Sequence, residues 1–173
     1  DLHRRARAFS SASELYQKAL AVDSTFSEAR AGLALVRIET QDYEAAVQPL
    51  ERLVALDPEY ADGYLLLGHV LNQLQRYHEA EAPLRRAIEL DVDNDEAHYR
   101  LAESYYGTGE YRKSVAAGVP AANKRRDYHA AQVVLADAYA ELGERANART
   151  WYLEAASDSR FRDYCNHRIE ALE

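Results

Sequence analysis

The chain has no methionine, one cysteine, four prolines, seven glycines and one tryptophan among its 173 residues. Each scarcity excludes something. A lone Cys165 rules out an internal disulfide and a thiolate metal cluster, and leaves the redox compartment open. Few glycines and prolines mean few turns announced by the usual punctuation. Valine and isoleucine are thin beside alanine, leucine, glutamate and arginine, a balance that favours helix over strand. No apolar run approaches the roughly 18 residues of a membrane span, and no signal-peptide pattern opens the chain. The expectation is a soluble chain, cytoplasmic or, if excised from a secreted precursor, periplasmic. With Asp1 in first place, the sequence reads as an excised or processed piece of something longer.

What is present argues for one folded domain. Hydrophobic residues make up 47%, enough for a core, and charged residues 29%, enough for a solvated surface. The formal net charge of −8 weighs against non-specific nucleic-acid binding and favours partners with basic patches.

Self-similarity organises the chain. Segments beginning at Ser27, Ala61, Asp95 and His129 align with starts 34 residues apart and no insertion. Leu33, Leu67, Leu101, Leu135 and Ile169 share one column, next to the small residues Ala34, Gly68, Ala102 and Ala136. A second small column holds Ala12, Ala46, Ala80, Ser114 and Ala148. An aromatic column holds Phe9, Tyr43, Tyr77 and Tyr111. Within a unit, Tyr64, Leu67, Gly68 and Leu71 recur at i, i+3, i+4, i+7, the stripe of an amphipathic helix. Each unit therefore reads as two helices that meet through small residues.

Tyr64-x2-Leu67-Gly68-x2-Leu71, then Ala80-x3-Leu84, with Asp57-Pro58 closing the preceding unit, resembles the tetratricopeptide repeat (TPR). The resemblance implies an all-α, right-handed superhelical solenoid of antiparallel helix pairs. One domain, 1–173, would hold a partial repeat over 1–26 and full repeats over 27–60, 61–94, 95–128 and 129–162. A capping helix starting near Arg160 would cover 163–173. Two departures stand out. The Asp-Pro closure survives only once, and the second helix of the third full unit carries Gly118 and Pro120, which predict a gap and a hinge there.

Other motifs dissolve against this frame. Gly107 followed by Arg112-Lys113-Ser114 resembles a phosphate-binding loop, but a helical stripe precedes it and Arg112 stands where a glycine is needed. Gly109 instead shares a column with Gln41, Gln75 and Gly143, and is predicted to be a left-handed turn residue. His78-Glu79 begins a zincin-like pattern, but Ala82 occupies the second ligand position. Cys165 lies in a terminal apolar stripe and reads as packing. The Arg4-Arg5-Arg7 and Lys124-Arg125-Arg126 clusters read as solvated ends or loops. No nucleophile, base and oxyanion donor assemble, so neither catalysis nor a cofactor nor a metal is expected.

Each first helix keeps a second stripe that its packing columns do not use. It comprises Ala31, Leu35 and Ile38, then Leu65, His69 and Asn72 beside Leu66, then Tyr99, Glu103 and Tyr106, then Val133 and Asp137, with an acidic column of Glu28, Asp62 and Glu96. In the family that this chain resembles, first helices line a concave face, so these residues are candidates for a binding groove. The series Leu35, His69, Glu103, Asp137 runs from apolar to acidic, which suits a protein or peptide with an apolar anchor at one end and basic residues at the other. The function expected is a non-catalytic scaffold or adaptor. The alternative is a recruiting or regulatory module of a larger enzyme or of a secretion or envelope assembly complex. Self-association is left open.

Overall fold

The computed structural model describes residues 2–125 and 127–172, with side chains from Ala8 onward. The basic side chains of Arg4, Arg5, Arg7 and Arg126 lie outside the described residues. Ten helices and no strand make up the described chain: α1 Leu2–Val22, α2 Ser27–Glu39, α3 Tyr43–Leu56, α4 Ala61–Gln73, α5 Tyr77–Leu90, α6 Asp95–Gly107, α7 Tyr111–Lys124, α8 His129–Glu141, α9 Arg145–Ala155 and α10 Ser159–Glu170. Each packs chiefly on its neighbours in sequence. The result is the right-handed solenoid of antiparallel pairs that the period predicts.

The turns inside the hairpins α2–α3, α4–α5, α6–α7 and α8–α9 are alike. Gln41, Gln75, Gly109 and Gly143 all take positive φ, between 59° and 78°. The amide that follows donates back into the first helix, as Asp42 does to the Arg37 carbonyl (2.8 Å) and Glu110 to that of Tyr105 (2.8 Å). This closing pattern satisfies the last carbonyls of the first helix and needs a left-handed residue at that column. Gly107–Ser114 is such a turn and not a phosphate cradle.

Small columns set the helix separation. A Cβ placed on Gly68 would lie 2.3 Å from Leu84 Cγ, and one on Gly107 2.6 Å from the Tyr77 ring. The buried residues form one core from α2 to α7 and a second among α8, α9 and α10 around Tyr152 and Cys165. Helix ends receive little help from side chains, with Asn94 and Asp158 acting as N-caps through 2.9 and 2.8 Å bonds from Ala97 N–H and Arg160 N–H.

The expected gap at Gly118 is absent. α7 is continuous from Tyr111 to Lys124, Pro120 faces solvent, and a Cβ on Gly118 would sit 3.2 Å from Ala102 Cβ. Where α5 seats Leu84 on Gly68, α7 lets two backbones approach with small residues on both sides. The helix is not broken, but it buries shorter side chains.

Candidate functional site

The first helices α2, α4, α6 and α8 bear the predicted groove. α4 packs on α6, α6 on α8 and α8 on α10, whereas α2 and α4 make little direct contact. The first helices are therefore in direct contact from α4 to α10, and the inner face is least knitted together between α2 and α4.

The middle is a polar network. Asn72, 4% exposed, donates to the Arg100 carbonyl (2.8 Å) and to Glu103 (3.2 Å), and accepts from the Ser104 hydroxyl (2.7 Å). The Arg100 guanidinium pairs with Glu96 at 2.7 Å and Glu103 at 3.2 Å, and lies 4.7 Å from the Tyr99 ring. Tyr128 donates to Glu96 and stacks 5.2 Å from Tyr99. Burial lifts the Tyr99 hydroxyl to about 12. His69, edge-on to Tyr43, faces this network; burial first, then the positive charge of Arg100, lowers its pKa to about 4, so it is neutral.

At the C-terminal end α10 takes the place of a further first helix. Asp137, 7% exposed, accepts from the hydroxyls of Tyr152 and Tyr164, the latter at 2.8 Å, and lies 3.4 Å from Arg168 Nε. Arg168 also donates to the Tyr152 hydroxyl at 2.9 Å. Burial raises the Asp137 pKa against the opposing pull of these donors. This carboxylate anchors the capping helix.

The N-terminal end is apolar and open. Leu35 is 46% exposed; Ile38, Leu65 and Leu66 are half-buried against the core beneath. Glu28 and Asp62 stand exposed at the first turns of α2 and α4. Tyr106 and Val133 are half-buried farther along, Val133 against the second core.

Three expected groove residues are corrected. Ala31 is buried in the core at 7% exposure, and Asn72 and Asp137 are consumed by neighbouring helices. The graded acidic end is corrected with them, because Glu103 and Asp137 already face Arg100 and Arg168. Sequence reasoning passed over Arg100, Ser104, Tyr128, Tyr164 and Arg168. The one local signal was Arg100 at i+4 from Glu96 and i−3 from Glu103, the spacing of helix-surface ion pairs.

Two other places invite chemistry. Ser157 Oγ lies 3.0 Å from His129 Nε2, and His129 Nδ1 3.4 Å from Asp158. The serine proton, however, goes to the Glu154 carbonyl at 2.8 Å, and Asp158 is held by Arg160 while capping α10. The trio ties the α9–α10 loop to α8. On the outer side, a cleft of about 760 Å³ lies between α5 and α7 over α6, where Ala116 and Ala117 leave room beside Ile88 and Leu101. Its tyrosine, Tyr105, donates to Glu81 at 2.8 Å. Among the described residues no group of three or more His, Cys, Asp or Glu could hold a metal, and no helix is long and apolar enough to cross a membrane.

The fold is shared widely. The chain is similar to YrrB, whose structure is described as "a TPR protein with an unusual peptide-binding site", at 22% identity and a TM-score of 0.83, over 98% of this chain and 87% of that one. It is similar to MamA at 24% identity and a TM-score of 0.82, over 95% and 96%. A thermophilic TPR protein of Thermus thermophilus matches at 22% identity and a TM-score of 0.70, over 99% and 93%. No curated protein matches the sequence significantly. Tetratricopeptide-repeat family models match residues 3–70 and 129–157, and a TPR-repeat model matches 68–109. With the period, the hairpin turns and the stacked pairs in agreement, the chain belongs to the tetratricopeptide-repeat family.

Proposed function

We propose that the chain is a non-catalytic interaction module that takes a peptide segment at the N-terminal end of its inner face. The observation that carries this is Leu35, 46% exposed beside Ile38, Leu65 and Leu66, where α2 and α4 stand apart. A contiguous apolar surface that the fold leaves uncovered is a docking surface. The free acids at this end are Glu28 and Asp62, so the ligand carries a basic residue next to its apolar anchor rather than at the far end of the groove. The peptide-binding site named for YrrB makes a peptide the natural occupant class. Among the described residues no activated nucleophile or proton-transfer pair competes with this reading.

Selection of random peptides on the immobilised chain tests it. Enriched sequences are expected to pair a leucine or aromatic anchor with nearby lysine or arginine. Their binding is expected to fall about tenfold or more with Leu35→Ser. Peptides that bind Leu35→Ser undiminished would remove the site from α2 and α4.

A further inference from the structure

Helix α1 occupies the place of a second helix, yet it departs from α3, α5, α7 and α9. In α3 the residues that pack against the flanking first helices, Ala46, Leu50 and Leu53, are 0% exposed, and α5 and α9 repeat this. Their counterparts in α1, Ala12, Tyr16 and Ala19, are only half-buried, and Leu15 between them is 65% exposed. Tyr16 packs on Gly32 of α2, but the flank that carries Leu15 stays open among the described residues.

The ordinary way of filling it is closed off. In the other hairpins a positive-φ residue and a charged one (Gln41-Asp42, Gly109-Glu110) turn the chain so that a first helix folds back. α1 instead runs helically through that column, with Ala8 in place of the charge, and continues to Leu2. Its composition has shifted accordingly: Leu15 stands where the other second helices carry Pro49, Pro83, Ala117 and Trp151.

The shift creates a seam. Ala8, Ala12, Leu15, Ala19 and Val22 are spaced four, three, four and three, the apolar pattern of a coiled-coil edge. Val22 is 91% exposed. Alternating alanines allow close helix approach, with Leu15 at the centre. Glu14 and Lys18 lie on one flank of this seam, one helical turn apart. When two such helices run antiparallel with Leu15 near a two-fold axis, equal flanks meet, and Lys18 of one copy falls about two residues from the level of Glu14 on the other, within reach of these long side chains.

We propose that α1 is a self-association helix, and that two copies of this chain pair antiparallel along the Ala8–Val22 seam. A second copy is favoured over an unrelated helix because the flanking charges are self-complementary under the two-fold symmetry of a closed dimer. The surface is separate from the open end of the groove, so both can be occupied at once.

Sedimentation equilibrium of the chain tests the pairing. A monomer–dimer equilibrium is expected with a dissociation constant on the order of 1–100 µM, as suits a short two-helix contact. Leu15→Glu should weaken it about tenfold or more without changing the helical circular dichroism, since the side chain is exposed in the monomer. Val92→Glu, at another exposed site, should leave it unchanged. Charge variants fix the geometry: Glu14→Lys and Lys18→Glu should each self-associate less, yet pair with one another when mixed. A chain that stays monomeric to ~200 µM, above the whole of the stated range, overturns the proposal. So does a dimer indifferent to Leu15→Glu, or variants that fail to pair in the mixture.

Discussion

The two ends of the inner face are built from the same repeat and finished differently. At the C-terminal end Asp137 meets Tyr152, Tyr164 and Arg168, and α10 packs on α8 in the place of a further first helix. At the N-terminal end the same column holds Leu35, α2 and α4 stand apart, and none of the described residues covers the leucine. One helical scaffold thus yields an internal contact at one end and an open surface at the other. The difference is set by whether the residue in this column of the first helix finds donors on the next helix.

If that comparison holds, Asp137→Ala should have the largest effect on stability. It leaves two tyrosine hydroxyls without their acceptor and Arg168 without its nearest carboxylate, a loss of about 3 kcal/mol by the behaviour of broken buried pairs. Urea unfolding measures it, and amides of α10 should lose protection ahead of those of α4. An effect under about 1 kcal/mol would mean that α10 is not held by this carboxylate.

Leu65→Ser with Leu66→Ser comes next. Both side chains pack partly on the core, so the pair should cost about 2 kcal/mol, less than two full core truncations. A wholly open face would cost almost nothing. The half-buried state is what separates this end from both extremes.

His69 sharpens the middle of the face. The folded chain holds it neutral down to about pH 4, whereas an unfolded chain protonates it near 6.5. Between these values the unfolded state binds the extra proton, so stability rises with pH across the window and is lost on acidification. After allowance for partial exposure, unfolding at pH 4.5 should be easier than at pH 7 by about 1–2 kcal/mol from this group. His69→Gln should flatten that part of the profile; a profile unchanged by the substitution contradicts the burial of this ring against Arg100.

The smallest stability effect belongs to Leu35→Ser, within about 0.5 kcal/mol by thermal unfolding, as for exposed surface positions. A drop several times larger would show that the leucine is packed and the end is not open.

The period, the helix pairs and the turn column were legible in the sequence because they depend on spacing within one unit. Even Gln41 and Gln75, without a glycine's freedom, fall into the left-handed turn that their column predicts. The face of each helix was harder to read. Ala31 carries the stripe's spacing yet is core, and Asn72 looks like a groove residue until Ser104, 32 residues on, takes its carbonyl. Asp137 was misread for the same reason. Its partners Tyr164 and Arg168 lie on α10, and whether a terminal helix packs on α8 to reach this carboxylate depends on tertiary packing that no local periodicity encodes. Gly118 failed differently: a missing side chain closes a distance as readily as it opens a hole.

The direct test is to titrate a selected leucine-and-lysine peptide into isotopically labelled chain and map the perturbed resonances. The account predicts that they cluster at Leu35, Ile38, Leu65, Leu66 and His69, with Asp137, Tyr164 and Arg168 unmoved. Perturbations centred on Asp137 and α10 would contradict it, because the peptide would then be displacing the helix that is held to close that end.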